Sequence, residues 1–149
     1  MEIIKITQNR ERYLPLLLLA DEQYEMLLKY LHRGDMYAMH EGGAAVAMCI
    51  VTDEGGGVAE IKNLAVAPRY RRTGCGRRMV EFIKGICRGT HSRLQVGTGD
   101  SPLTVPFYER CGFTRSHVVP DFFTRHYDHP IFEGGVQLRD MVYLKRPLA

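Results

Sequence analysis

This 149-residue chain has no apolar run approaching the roughly 20 residues of a membrane-spanning helix, so no membrane partner is expected. The nearest thing to a targeting segment is Leu14 to Ala20 behind Arg10 and Arg12. It is short, contains Pro15, and meets Asp21 and Glu22 where a cleavage site would need small residues. The cysteines are only four, Cys49, Cys75, Cys87 and Cys111, and no two form a Cys-x-x-Cys pair. A disulfide framework and a cysteine metal or redox site are thereby disfavoured, and the pattern points to buried thiols in a reducing, cytoplasmic compartment. Twenty basic against 17 acidic side chains leave a net charge of +3, too little for a nucleic-acid-binding composition. Fifteen glycines and seven prolines stay below the roughly 25–30% at which low complexity becomes the default. No repeat or linker is visible, and the length suits one domain of about 150 residues with a self-sufficient core.

What is present reads as alternating β-like and helical segments. Met1 to Ile6 suggests an edge strand, followed by two helical segments. In the second, Tyr24, Leu27, Leu28 and Leu31 fall at helical spacing, with Asp21 placed to cap it. Two β-like runs, Met36 to His40 and Ala45 to Val51, flank the turn signal Glu41-Gly42-Gly43, and Gly55-Gly56-Gly57 introduces a third, Val58 to Val66. A helix is expected from about Gly76 to Arg88 with Met79, Ile83, Ile86 and Cys87 on one face. Leu94 to Thr98 returns to strand, Ser101-Pro102 starts a helix that Gly112-Phe113 ends, and Val118-Val119 with Val136 to Leu144 supply final strands. The expectation is one mixed α+β domain around a central sheet.

The segment Asn63-Leu64-Ala65-Val66-Ala67-Pro68-Arg69-Tyr70-Arg71-Arg72-Thr73-Gly74-Cys75-Gly76 runs from strand through a tight turn into a helix start. Unpaired N–H groups and the helix dipole make such a start attractive to phosphate, and glycines 74 and 76 let backbone approach an anion without a Cβ between. Five arginines, at 69, 71, 72, 77 and 78, favour a local anion site over a basic face. A P-loop needs lysine after the glycine, where Arg77 stands, and a dinucleotide fingerprint needs a third glycine, where Met79 stands; Gly97-x-Gly99 fails likewise at Pro102.

The turn Arg71-x-x-Gly74-x-Gly76 after the apolar strand Glu60 to Val66, followed later by Phe107-Tyr108-Glu109-Arg110-Cys111-Gly112-Phe113, resembles the GNAT superfamily of acetyl-CoA-dependent N-acetyltransferases. The resemblance implies a mostly antiparallel central sheet with helices on both faces and a splayed strand pair, here Glu60 to Val66 and Leu94 to Thr98, holding acetyl-CoA as co-substrate. It implies that Leu64, Ala65 and Val66 meet the pantetheine arm through main-chain hydrogen bonds. The pyrophosphate would rest on backbone N–H groups of the turn Arg71, Arg72, Thr73, Gly74, Cys75, Gly76 and Arg77, and Tyr108 would face the departing sulfur. The family often has asparagine where this chain has Asp100 and Ser101, and Pro106 is placed to bend the helix carrying Tyr108.

Attack on a thioester needs a neutral amine, a donor for the oxyanion and an acid for the leaving thiolate. A backbone N–H near Leu64 suits the oxyanion, Tyr108 the acid, and Glu60 the base, since plain alternation puts Glu60, Lys62 and Leu64 on one face. His126, Asp128 and His129 lie in a loop with no cysteine, and no metal is expected. Asp121, Asp128, Glu133 and Asp140 fall in the substrate-side part and suit a cationic amine. Polyamine, amino sugar and peptide amine are all compatible. A non-catalytic acetyl-CoA-binding module is the rival reading, favoured mildly by Pro106. Exposed edge strands leave a homodimer open.

Overall fold

The computed structural model describes residues 1–148. Strand β1 (Glu2–Ile6) pairs antiparallel with β2 (Asp35–Glu41), which turns back into β3 (Ala44–Gly55). That turn needs two successive left-handed residues, supplied by Gly42 and Gly43 at φ +59° and +83°, the requirement of a tight hairpin whose twist matches its strands. The triple-glycine turn leads into β4 (Val58–Val66), antiparallel to β3. Helix α3 (Cys75–Cys87) then crosses the sheet to β5 (Arg93–Gly99), which lies parallel to β4. With β6 (Thr114–Val119) and β9 (Met141–Pro147), the seven strands run in the order β1-β2-β3-β4-β5-β9-β6, and β4–β5 is the parallel neighbour pair.

Helices cover both faces. Helix α3 buries Cys75, Met79, Val80, Ile83 and Cys87, and α4 (Val105–Arg110) buries Val105 and Tyr108 in the same cluster as Cys49, Val51, Ile61, Leu94, Val96 and Leu144. On the other face α1 (Leu14–Leu17), α2 (Tyr24–Leu28) and the turn after α2 pack Leu17, Leu27, Tyr30 and Leu31 against Met36, Ala38, Met48 and Ile50. A fully buried branched residue such as Ile83 is worth about 2–5 kcal/mol against alanine at such a site. All four cysteines are buried and unpaired.

Several expectations shift. Helix α2 is only five residues long, and Tyr24 and Leu28 of the expected stripe are exposed while Met26 and Leu27 are buried. On α3 the apolar face takes Val80 in place of the exposed Ile86. Helix α4 begins at Val105, because Ser101 spends its hydroxyl on the Leu103 N–H (3.0 Å) and holds residues 101–104 as a turn ahead of the helix. Pro106 therefore sits in the first turn, where a missing N–H costs no helical bond, and the helix carries on undistorted: the Tyr108 N–H reaches Thr104 O at 3.0 Å. The run from Val136 divides into β8 (Val136–Gln137), paired with β7 (Phe132–Glu133) in a separate hairpin, and β9. That hairpin and α5 (Phe122–His126) enclose a small third core of Phe123, Ile131 and Leu138.

Candidate active site

Pairing between β4 and β5 runs from Val58↔Arg93 to Ile61↔Val96 and then stops, although β4 continues to Val66 and β5 to Gly99. The strands diverge, and a cavity of about 1040 Å³ opens between them, walled by Leu64 and Val66, by Gly97, Thr98 and Gly99, and by α4. Gly97 and Gly99 keep the far wall thin: a Cβ would lie 2.7 Å from Met141 Sδ at Gly97 and 2.5 Å from Leu138 Cδ1 at Gly99.

A β-bulge sets what faces this cavity. Ile50 pairs with Asn63 and Val51 with Ile61, so Lys62 is an extra residue. Cross-strand partners share a face, which places Leu64, opposite Cys49, with Ile61 on the α3 face, and Glu60, opposite Thr52, with Asn63 on the α1–α2 face. Plain alternation, which grouped Glu60 with Leu64, is corrected by the inserted residue.

At one end of the cavity the chain leaves β4 and passes through the arginine turn. Arg72 and Gly74 hold left-handed backbone, φ +63° and +92°, and the first helical bond of α3 runs from the Arg78 N–H to Gly74 O at 2.9 Å. The N–H groups ahead of it have no intrahelical partner and stand at the positive end of a 13-residue helix. Arg71, Arg72, Gly74, Gly76 and Arg77 line the cavity here; Arg71 also reaches back to Val66 O with Nε at 3.4 Å. Thr73 hydrogen-bonds Tyr70 O and fixes the bend, and Cys75 turns its sulfur into the core. Gly76 has a packing reason besides anion approach: a Cβ would lie 3.2 Å from the Phe107 ring.

Tyr108 stands in the middle of the wall, 6% exposed, its ring edge-on to Phe107 and Phe113 with centroids 5.0 and 5.6 Å away. Burial pushes its phenol well above the ordinary value, so the proton stays on. Among the described residues none bonds its hydroxyl, which is not sealed from the cavity.

Glu60 lies elsewhere. It is 4% exposed, and its carboxylate takes Lys62 Nζ at 2.7 Å and Gln95 Nε2 at 2.6 Å. It ties β4 to β5 in the paired part of the sheet and is not in the cavity wall. Tyr143, pushed up to about 12 by burial and by this carboxylate, is stacked on His117.

The other end of the cavity is acidic and drawn from distant segments. Asp21 is no helix cap; Gln23 holds that position, and the Asp21 carboxylate accepts from Tyr30 at 2.9 Å and Tyr127 at 2.7 Å. Burial holds Asp21 above the usual carboxylate range despite those donors. Asn63 donates to Tyr30 Oη at 3.1 Å and to Leu17 O at 3.0 Å. Glu133 is also held up by desolvation. Of the four acids expected on the substrate side, Glu133 lines the cavity, whereas the Asp140 carboxylate accepts the Asp121 backbone N–H at 2.8 Å and Asp128 pairs with His129. The sequence pattern assigns none of Asp21, Asn63 and Tyr127 to the site, and Asp21 reads there as a helix cap; the polar residues set among apolar neighbours were the signal, and their meeting needs the fold. Among the described residues, no group of three or more His, Cys, Asp or Glu side chains is arranged to hold a metal.

A family model described as acetyltransferase (GNAT) domain matches residues 32–115, more than half of the chain. This chain belongs to the GNAT acetyltransferases. It is 36% identical over 138 residues, 91% of its length and 88% of the relative's, to the "uncharacterized N-acetyltransferase YvbK" of Bacillus subtilis strain 168. Among solved structures, a Bacillus subtilis acetyltransferase in complex with CoA superposes with a TM-score of 0.89 at 32% identity, covering 99% of this chain and 98% of that one. A GNAT acetyltransferase from Elizabethkingia anophelis with acetyl-CoA bound gives 0.92 at 27% identity, over 98% and 97%. The GNAT α+β architecture, a mostly antiparallel sheet with helices on both faces, is the one described above.

Proposed function

We propose that this GNAT acetyltransferase carries acetyl from acetyl-CoA to a primary amine by direct attack in a ternary complex. The observation that carries the reading is the gap between β4 and β5, bounded by a strand of free main chain on one side and Tyr108 on the other. Leu64, Ala65 and Val66, paired with β3 on one side but free on the side facing β5, offer the pantetheine arm the bonds another strand would make there. The N–H groups from Arg72 to Arg77 cradle the diphosphate, with Arg71 beside them. CoA- and acetyl-CoA-bound relatives of similar fold support this placement.

The amine nitrogen attacks the thioester carbon, the C–N bond forms and the C–S bond breaks. The oxyanion is met by main-chain N–H near Leu64, the leaving thiolate takes the Tyr108 proton, and the proton that the nitrogen sheds on becoming an amide restores the phenol. A phenol kept protonated by burial and free of protein partners suits that last step. We assign Glu60 to the frame of the site: its two donors, Lys62 and Gln95, and its place behind the bulge leave it holding strands, away from the cavity wall. The non-catalytic reading loses the support of Pro106, which does not disturb α4. Release of free CoA thiol with a panel of amines tests the proposal, and a panel with no release would favour the binding module.

A further inference from the structure

At the acceptor end of the cavity the ionisable side chains Asp21 and Glu133 are carboxyls that present acceptor oxygens. Asn63 lies in the same wall, its amide spent on Leu17 O and Tyr30 Oη and its Oδ1 buried. Two anionic positions come from separate segments. Glu133 sits on the β7–β8 hairpin, whose Gly134 lies against the turn leading into the Tyr108 helix: a Cβ there would lie 3.0 Å from Pro102 Cγ. Asp21 sits in the loop between α1 and α2, oriented by two fixed phenols at 2.9 and 2.7 Å with lone pairs to spare. The wall around them is largely apolar, with Phe123, Ile131, Phe132 and Leu138. A ligand that satisfies such a site brings donors at two places and hydrocarbon between.

We propose that the acceptor is a small dication of the straight-chain diamine or polyamine class, its reacting nitrogen at Glu133 and its second ammonium at Asp21 within the Tyr30–Tyr127 clamp. A primary ammonium carries three donors and no acceptor, which matches a surface that offers the reverse. Glu133 takes one proton of the reacting ammonium and passes it to solvent, and the freed nitrogen attacks the thioester carbon. The thiolate leaves with the proton of Tyr108, and the second proton, shed by the nitrogen as it becomes an amide, returns to the Tyr108 phenolate. The carboxyl of Glu133, held up by burial, is suited to hold the first proton.

The proposal rests on the acetyltransferase reading, and one assay separates the two. Thiol release is measured on the purified protein with acetyl-CoA and straight-chain α,ω-diamines, monoamines of matching length, an amino sugar and a peptide N-terminus. Diamines are expected to exceed the monoamines in kcat/KM by about tenfold or more, and Asp21→Asn to bring that ratio close to one, the loss expected when a charge pair in a partly desolvated site is broken. Tyr127→Phe, which keeps the carboxylate but frees one oxygen, is expected to lose part of the preference. Glu133→Gln is expected to lower kcat/KM for the diamine most at low pH. Preference for a monoamine, sugar or peptide, or an equal loss for all acceptors in a folded Asp21→Asn that still shows a Tm shift with acetyl-CoA, would overturn the diamine assignment alone. No thiol release with any acceptor and no Tm shift with acetyl-CoA would sink the acetyltransferase reading itself.

Discussion

At the turn end of the cleft the groups on offer are backbone N–H donors of residues 72–77 flanked by arginines, whereas at the other end they are the carboxyls of Asp21 and Glu133, from opposite ends of the chain. The first kind of site depends on the path of a single loop, and almost any side chain that permits Arg72 and Gly74 their left-handed backbone preserves it. The second depends on which side chains separate segments happen to bring, so it is free to change with the acceptor while the donor site stays. Tyr108 stands between them, in the wall common to both. A ligand that spans the cleft thus meets donors first and acceptors last, matching a polyanionic donor and a cationic acceptor.

Removing the group at the junction tests the comparison hardest. Tyr108→Phe is expected to lower kcat by about 10²–10³ while the affinity for acetyl-CoA stays, because only a positioned proton donor disappears. Single-turnover kinetics decide it: a chemical step within a few-fold of the parent enzyme would reduce Tyr108 to packing against Phe107 and Phe113.

The donor end is tested by shortening the donor. Acetyl-CoA at about a hundred times its Kd is expected to stabilise the fold by about 2.7 kcal/mol, a rise in Tm of several degrees. S-acetylpantetheine, which lacks the diphosphate, is expected to lose most of that rise at equal concentration. Comparable shifts from the two thioesters would remove the arginine turn from the cofactor site. The ligand pair is a cleaner probe than a Gly76 substitution, since any Cβ there also presses on Phe107.

The donor end was legible in the sequence because it is contiguous: strand, turn and helix start follow one another from Glu60 to Arg77, and their chemistry lies in backbone conformation that glycines and arginines announce. Hairpins were legible for the same reason, through Gly42-Gly43 and the Gly55 to Gly57 turn. The acceptor end was not, since no local pattern connects Asp21 with Tyr127. Asp21 read as a helix cap because its local context, a short acidic step before a helical stripe, is that of a cap; the competing phenols come from elsewhere in the fold. Glu60 was misjudged by one residue of register: the bulge at Lys62 reverses the face of everything after it, and period-two reasoning carries no sign of an inserted residue.

That correction has its own test. If Glu60 holds strands together, Glu60→Gln is expected to cost about 1–3 kcal/mol in urea unfolding, because Lys62 and Gln95 lose a charged partner in a buried setting. The pH profile of kcat/KM is expected to stay parallel to that of the parent enzyme. A selective loss of activity at low pH, with stability unchanged, would instead restore Glu60 as a base acting through water from behind the bulge.

The smallest expected effect lies at the rim of the acceptor end. His129 bridges Asp128 at 2.6 Å and Glu22 at 2.9 Å, and Gln23 bonds the Asp128 N–H at 2.9 Å alongside, so the segment after α5 is strapped to the loop that carries Asp21. The Asp128 carboxylate, then that of Glu22, holds His129 above its ordinary value. A histidine raised in the folded state contributes stability that is fully present below its unfolded pKa of about 6.5 and is lost as pH rises through the folded value. His129→Asn is therefore expected to melt slightly below the parent protein at about pH 6 and together with it at about pH 9, a modest gap because the pairs are exposed. The stabilisation by acetyl-CoA, which acts at the opposite end, is expected to be the same for both proteins at both pH values. A melting gap that persists at the higher pH would assign the strap to neutral hydrogen bonds. A changed acetyl-CoA shift would mean that the two ends of the cleft are coupled.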